Sequence, residues 1–141
     1  MVRINLINPK YLLDQHLNAE HVEILMLLSS ARNYNPFSAP NEYKLGKGHI
    51  NFFKDKLKYL ETRFNLIQEE MRKRGFNTNA KFKSNWSIPD SQLNDYIPTT
   101  EAIELIKERL KWKINLKPEY YTYKGKYYSL QSQLNLIDRA V

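Results

Sequence analysis

The stretch "KYLLDQHLNAEHVEILMLLSS", residues 10–30, decides the fold. Its apolar side chains recur every three or four positions, which is the spacing of one face of an α-helix. These side chains are Leu13, Leu17, Ile24 and Leu28. Pro9 stands just before the stretch, and proline is favoured in the first turn of a helix. We therefore predict a helix over residues 9–30 with a buried leucine-rich face.

A polar stripe borders this apolar face. At about 100° per residue, the side chains of His16, Glu20 and Glu23 lie beside the leucines and not opposite them. Groups at the edge of a core are partly buried, and partial burial shifts their pKa values. The sequence thus predicts that partial burial shifts the pKa values of one histidine and two carboxylates.

Two further helices are predicted. The second covers "HINFFKDKLKYLETRFNLIQEEMRKR", residues 49–74, and ends at Gly75, which suits a left-handed cap after a basic last turn. Its apolar face consists of Phe53, Leu57, Leu60, Phe64 and Ile67. The third covers "EAIELIKERLKWKI", residues 101–114, after a stop at Pro98 and a cap at Thr99 or Thr100. Pro118 ends it.

Two long polar stretches, residues 31–48 and 76–97, connect the helices and are candidate contact surfaces. No strand-like alternation and no internal repeat is present. The 141 residues are enough for one core. We predict an all-α fold, a single compact domain of three main helices with long connecting loops.

Composition narrows the function. Twenty-two Lys and Arg residues against fifteen Asp and Glu give a net charge of +7, which favours a phosphate polymer as partner over an anionic membrane. No apolar run is long enough to span a membrane and no secretory pattern opens the chain, so we expect a protein used inside a cell. Cysteine is absent, which excludes thiolate chemistry, and the three histidines have no metal-ligand spacing. We expect neither a metal nor a cofactor.

Two motifs have both a functional and a structural interpretation. "YYTYKGKYY", residues 120–128, fits stacking on bases with lysines on phosphates, and fits tyrosines packed over the core equally well. Its basic neighbours favour DNA; they are Arg109, Lys111, Lys113 and Lys117. "LGKGH", residues 45–49, would offer backbone amides to a phosphate, or would form a plain turn that starts a helix.

Six short stretches, in order, carry a family resemblance. They are "RINL", "DQHLNAEHVE", "LGKGHINFFKDKLKYL", "RKRGFN", "DYIP" and "YKGK". Together they resemble the phage-type endonuclease V family of pyrimidine-dimer DNA glycosylases with abasic-site lyase activity, over nearly the whole chain. The resemblance implies a compact all-α fold. Residues 129–141 extend past the usual end of the family, and we expect a short amphipathic helix there.

The resemblance also implies a mechanism. The nucleophile is the α-amine of Val2, exposed when Met1 is removed, and Glu23 is the carboxylate that stabilises the cationic sugar and moves protons. An α-amine has a pKa near 8, so roughly a tenth of it is neutral at pH 7 without burial. It forms an imine with the sugar as the damaged base leaves, and β-elimination then breaks the strand.

The implied partner is double-stranded DNA that contains damaged bases, and we expect the protein to bind it as a monomer. We expect a cytoplasmic location, in association with the DNA of a bacterial or virus-infected cell. The implied contact residues are Arg3, Gln15, His16, Arg109, Lys113, Tyr121, Tyr123, Gly125 and Lys126. The chain departs from the phage member at Val2, where that protein has threonine, and at Val22 and Met26, where it has arginines. Because the two missing arginines would each contact a phosphate, we predict weaker binding of DNA that contains a pyrimidine dimer, or a preference for another lesion.

Two alternatives stay open at this point. In the first, the same lyase chemistry acts on a different base lesion, as Val22 and Met26 suggest. In the second, the chain is a DNA-binding module that has the fold without catalysis, and this alternative gains weight if Met1 is retained. Strand cleavage separates the second alternative from both enzymes.

Overall fold

The structure, a computed structural model, describes residues 3–82 and 88–140, and within these ranges the chain forms five α-helices. They are α1 (Asp14–Ser29), α2 (His49–Phe53), α3 (Leu57–Lys73), α4 (Thr100–Leu116) and α5 (Leu130–Asp138). The same residues contain no strand, only two isolated bridges, so the all-α prediction is confirmed. The three long helices α1, α3 and α4 are the predicted main helices. No helix in the described ranges is long and apolar enough to cross a membrane.

The first helix begins later than predicted. Pro9 opens a separate 3-10 turn, residues 12–13 are extended, and α1 starts at Asp14. The reason lies in the carbonyl groups of Pro9 and Lys10, which would accept backbone hydrogen bonds within a longer helix. The carbonyls of Pro9 and Lys10 accept hydrogen bonds from the guanidinium of Arg74 instead (3.1 and 3.4 Å), and the Tyr123 hydroxyl also donates to Lys10 (2.7 Å).

The second predicted helix is divided into α2 and α3 by a break at residues 54–56, where Lys56 leaves the helical region (φ −123°, ψ 44°). The carbonyls freed by the break find other donors. The side-chain amide of Gln92 donates to Lys54 (2.9 Å), and the backbone and side chain of Asn94 donate to Asp55 (3.2 and 2.8 Å). The break is thus stabilised by a loop far along the chain.

The other helix ends agree with the sequence. Gly75 ends α3 with a φ of 87°, a conformation that residues with a Cβ rarely adopt. The Thr99 side chain caps α4 by accepting from the Ala102 N–H (3.0 Å). The predicted helix of the extension is α5: Ile137 is buried, and Lys107 of α4 donates to the carbonyls of Asp138 and Ala140 (3.0 Å each).

The core lies between α1 and α3, with α5 on α4. Every apolar side chain predicted for the faces of α1 and the second helix is buried. What the periodicity did not predict is that the N-terminal segment, residues 3–8, also enters this core, where Ile4 and Ile7 are fully buried. Leu6 bends the segment in a γ-turn with a φ of 61°, closed by the Ile7 N–H donating to the Asn5 carbonyl (2.6 Å). Such a turn is rare and costs about 1–3 kcal/mol.

Candidate active site

A cleft of about 370 Å³ opens between the N-terminal segment, α1, α4 and the start of the tyrosine-rich stretch. Seven predicted site residues line it: Arg3, Gln15, His16, Glu23, Arg109, Lys113 and Tyr121. Four lining residues were not predicted, namely Asn5, Ala19, Leu110 and Tyr120. The predicted nucleophile, Val2, lies outside the described residues. Helical spacing would have found Leu110 from Lys113 and Ala19 from His16, and Tyr120 lies in the tyrosine-rich motif. No helical spacing or motif chemistry indicates Asn5.

Glu23 is the carboxylate of this cleft. It is half-buried on α1, and its Oε2 accepts a hydrogen bond from the backbone N–H of Arg3 (2.9 Å). Burial raises the pKa of Glu23, while the hydrogen bond from Arg3 opposes the rise. A raised pKa makes a carboxylate a stronger base, which suits general acid–base catalysis.

The N-terminal segment is held beside Glu23 by donors and acceptors from distant parts of the chain. The Tyr43 hydroxyl donates to the Ile4 carbonyl (2.7 Å), and the Ile4 N–H donates to Nε2 of His49 (2.9 Å). Further along, the guanidinium of Arg63 donates to the Ile7 carbonyl (2.6 Å). Hydrogen bonds to N–H and carbonyl groups of this segment therefore fix the backbone next to the cleft.

A buried ion pair supports the same segment. Nε and Nη2 of Arg63 donate to the two carboxylate oxygens of Glu20 (2.7 and 3.0 Å), and both side chains are buried. The side-chain amide of Asn5 donates to the same carboxylate (2.9 Å). Burial lowers the pKa of Arg63, but the charge of Glu20 outweighs it and the net shift is upward, so the guanidinium stays charged. Glu20 therefore has a structural role, although it shares its helix stripe with Glu23.

Three cations face the cleft. Arg3 lies at its N-terminal side, and Arg109 and Lys113 are one helical turn apart on α4. The guanidinium carbon of Arg109 lies 4.5 Å from the ring centre of Trp112, and its Nε is buried without a hydrogen-bond partner among the described residues. Burial and then the charge of Arg109 lower the pKa of Arg3, although a guanidinium stays protonated at neutral pH. The cleft therefore favours an anion such as a DNA phosphate.

His16 is an uncharged polar group in the same cleft. Its ring lies 4.6 Å from that of Tyr121, and both ring nitrogens are buried without a partner among the described residues. Burial, followed by the charges of Lys113 and Arg3, lowers the pKa of His16 to about 4. At neutral pH the imidazole thus has one donor and one acceptor available to a ligand.

Gln15 connects α1 to the tyrosine-rich stretch. Its Nε2 donates to the Thr122 hydroxyl (3.0 Å), and its Oε1 accepts from the Thr122 N–H (2.9 Å). Both ends of the amide therefore contact one residue. In the structure Gln15 orients the wall of the cleft as well as lining it.

The tyrosine-rich stretch turns back at residues 123–126. Tyr123 and Lys126 exchange backbone hydrogen bonds (2.8 and 3.1 Å), and Lys124 and Gly125 have φ values of 53° and 80°, as in a type I′ turn. The carboxylate of Asp14 accepts from the N–H groups of Lys124 and Gly125 (3.0 and 2.9 Å). Gly125 and Lys126 are exposed at this turn, outside the cleft.

The tyrosines of this stretch divide into packed and exposed members. Tyr121 is buried and Tyr123 packs against Arg74, with 4.6 Å from the guanidinium carbon to the ring centre. Three others are exposed, namely Tyr120, Tyr127 and Tyr128. The exposed rings are the ones that are free to stack on bases.

The glycines of "LGKGH" form the plain turn that starts a helix. Gly46 and Gly48 have φ values of 77° and 97°, and the His49 N–H donates to the Gly46 carbonyl (3.1 Å). His49 is buried and bound to the N-terminal segment. The motif therefore serves the cleft by supplying His49, which was not predicted as a site residue.

A larger cavity, about 630 Å³, lies between α5, Leu13, Tyr123 and Tyr128. Of the predicted site residues it contains only Tyr123. The smaller cleft is the better candidate because it combines Glu23, three cations and a neutral histidine.

The first 84 residues link this geometry to known proteins. The family model described as pyrimidine dimer DNA glycosylase matches residues 1–84, which carry Arg3, Gln15, His16 and Glu23. Arg109, Lys113 and the tyrosine-rich stretch lie beyond the match. Because the match covers more than half of the chain, this protein belongs to the pyrimidine dimer DNA glycosylase family of DNA repair enzymes.

Proposed function

We propose that this glycosylase also cuts the DNA strand, as an abasic-site lyase, through an imine formed by the α-amine of Val2 after removal of Met1. The observation that carries the proposal is the hydrogen bond from the Arg3 backbone N–H to Glu23 (2.9 Å). A single peptide unit joins Val2 to this N–H. Only the Cα and the carbonyl carbon of Val2 separate the proposed nucleophile from the nitrogen that donates to Glu23.

The proposed chemistry begins with attack of the neutral amine on C1′ of the damaged nucleotide. The bond from C1′ to the base breaks, the base leaves with a proton, and loss of the amine proton and opening of the sugar give a protonated imine. The imine acidifies the C2′ proton, and its removal expels the 3′ phosphate oxygen by β-elimination. Glu23 accepts and returns these protons and stabilises the positive charge on the sugar. Water finally hydrolyses the imine and frees the amine.

The cations of the cleft are the groups that we propose bind the DNA backbone. We propose that Arg3, Arg109 and Lys113 bind phosphates around the damaged nucleotide, and that neutral His16 donates or accepts a hydrogen bond inside the cleft. The exposed turn with Gly125 and Lys126 extends this surface along the duplex. Tyr121 and Tyr123 support it from within, since both are packed against other side chains.

We further propose that residues 1–141 work as one glycosylase–lyase unit, with residues 129–141 as an extension. The packing of α5 on α4 through Lys107 supports this view. It joins the extension to the helix that carries Arg109 and Lys113.

Borohydride trapping tests the chemistry. The protein is incubated with an ultraviolet-irradiated duplex in the presence of borohydride, and any covalent adduct is mapped by peptide mass analysis. We expect an adduct at the Val2 nitrogen. Binding without any adduct would favour the non-catalytic module, and strand cleavage by protein whose Val2 nitrogen is still an amide would refute the mechanism.

A different preferred lesion remains the second candidate, favoured by Val22 and Met26. Both are half-exposed on α1 and neither can bind a phosphate. Cleavage rates on three matched duplexes, carrying a pyrimidine dimer, an abasic site or an oxidised pyrimidine, decide between the two. A faster rate on the oxidised base than on the dimer would favour the second candidate.

A further inference from the structure

We propose that His49 and Tyr43 are positioning residues, which clamp the backbone of Ile4 and thereby set where the N-terminal amine reaches the DNA sugar. The inference rests on the proposed function, because it concerns the delivery of that amine. Neither side chain lines the cleft, so each would act through the backbone and not by touching the substrate.

The clamp grips both polar groups of one residue. The Ile4 N–H donates to Nε2 of His49 (2.9 Å), and the Ile4 carbonyl accepts from the hydroxyl of Tyr43 (2.7 Å). The next backbone N–H toward the terminus, that of Arg3, donates to Glu23 (2.9 Å). The clamp and the catalytic carboxylate therefore hold adjacent peptide groups.

Only one form of His49 can make these bonds. Because the Ile4 N–H is a donor, Nε2 must be the acceptor, so the proton is on Nδ1. Nδ1 then donates to the Lys44 carbonyl (2.8 Å), which fixes the ring from its other side. A neutral imidazole with this tautomer connects the turn before α2 to the N-terminal segment.

The clamp is rigid because it is buried. Ile4, Tyr43 and His49 are all buried, and the rings of Tyr43 and His49 pack edge-on against Phe53, with centroids 5.9 and 5.3 Å away. The γ-turn at Leu6 shows that the segment does not adopt its path by local preference. Tertiary bonds must impose the path, and the clamp supplies two of them.

Rigidity matters because covalent attack needs the reacting atoms at about 3–3.5 Å, and a misplacement of 1 Å costs about a hundredfold in rate. A histidine that merely fills the core would affect stability when replaced. A positioning histidine affects the rate of imine formation at temperatures where every variant is folded.

A matched pair of substitutions separates these two roles. In His49→Gln the side-chain oxygen can replace Nε2 as the acceptor for Ile4. In His49→Asn the amide nitrogen can replace Nδ1 as the donor to Lys44, but nothing reaches Ile4. Tyr43→Phe removes only the hydroxyl that holds the Ile4 carbonyl.

The readout is the single-turnover rate of borohydride trapping on an abasic-site duplex, beside the Kd for the same duplex and the Tm. We expect His49→Asn to slow trapping by about 10- to 100-fold and His49→Gln by less than about 3-fold, with Kd within about twofold of wild type. Tyr43→Phe should slow trapping by about 3- to 10-fold.

Equal trapping rates in the Asn and Gln variants would overturn the clamp while leaving the proposed function intact. The same holds if each variant's loss of trapping rate is matched by an equal loss of affinity for the duplex. If His49→Asn does not fold, Tyr43→Phe decides, and an unchanged trapping rate there refutes the proposal. Absence of any adduct with wild-type protein would instead refute the amine mechanism, and the clamp with it.

Discussion

At the scale of single residues, the helical stripe of α1 shows what a sequence can predict about a site. Periodicity correctly placed His16 and Glu23 at the edge of the core, but it was wrong for Glu20, which is fully buried. It could not distinguish the two carboxylates, because the difference comes from Arg63, which is 43 positions away from Glu20 in the chain. Glu20 is bound to that guanidinium, and Glu23 faces the cleft.

Glu23→Gln tests the carboxylate directly. The substitution keeps an oxygen that can accept from the Arg3 N–H, so we expect the N-terminal segment to stay in place while proton transfer is lost. Strand cleavage should fall by about 10²- to 10⁴-fold, and the Kd for damaged DNA should change little. Single-turnover cleavage and fluorescence anisotropy measure the two quantities.

Glu69→Gln is the matched control, since Glu69 is exposed on α3 and pairs there with the equally exposed Lys73. We expect wild-type cleavage from it. Cleavage by Glu23→Gln at the rate of this control would remove Glu23 from the mechanism.

Stability should fall in mild acid because of the buried histidines. Burial lowers the pKa of both His16 and His49 to about 4, below the unfolded value of 6.5. The unfolded chain therefore binds protons first, so this stability is complete above pH 6.5 and is lost as the pH falls toward 4. From pH 7.5 to 5 we expect each histidine to contribute a loss of up to roughly 2 kcal/mol in the free energy of unfolding.

Urea denaturation of wild type and His49→Gln at the two pH values measures the effect. Glu23, whose raised pKa acts in the opposite direction, is common to both proteins, so their difference isolates His49. A pH dependence that is the same in both proteins would show that His49 is not buried in its neutral form.

At the scale of elements, the sequence predicted helix existence and apolar faces better than helix ends. Gly75 and Thr99 are local signals, and both ends agree with the structure. The break at residues 54–56 and the late start of α1 depend on donors from Gln92, Asn94 and Arg74, which no local pattern shows. Boundaries set by tertiary hydrogen bonds cannot be found by periodicity.

Asp14 gives the element-scale prediction. Its carboxylate, buried at the start of α1, accepts from Arg74 (2.9 Å), from the Thr122 hydroxyl (2.7 Å) and from two amides of the 123–126 turn. Burial raises the pKa of Asp14, but these hydrogen bonds outweigh it and the net shift is downward. Asp14→Ala leaves several buried donors unpaired, so we expect a loss of about 3 kcal/mol in the free energy of unfolding.

Urea denaturation at pH 7 measures the loss. Asp90→Ala removes the same charge from an exposed position and should change stability by less than about 0.5 kcal/mol. If the two variants lose the same amount, the Asp14 network does not hold the turn against α1.

At the scale of the whole molecule, charge predicted the class of partner and could not locate the site. The net charge of +7 is a sum, and it indicates a phosphate polymer without saying where the polymer binds. The fold brings Arg3 to the same cleft as Arg109 and Lys113, over a hundred positions later in the sequence, and this cleft is where we propose that the phosphates bind. Val22 and Met26 leave uncharged surface next to that cleft on α1.

Restoring charge at these two positions should strengthen DNA binding. In the double variant Val22→Arg with Met26→Arg, two added phosphate contacts should steepen the slope of log K against log salt by about 2 for duplex DNA. Fluorescence anisotropy over a series of salt concentrations measures the slope.

The control adds the same charges, one helical turn apart, at the exposed residues Thr62 and Leu66 of α3, which do not line the cleft. We expect a smaller change from it. Equal slopes in the two double variants would mean that the DNA does not lie along this face of α1.

The burial of the N-terminal segment also has a consequence for how the chain is made. Its long-range hydrogen-bond partners lie 15 to 56 positions downstream, so the segment leaves the ribosome before these partners have been synthesised. Closing loops of that length precedes any gain from the contacts. Residues 3–8 must therefore wait for Arg63 before they can settle, with Ile4 and Ile7 open to chaperones or to other chains until then.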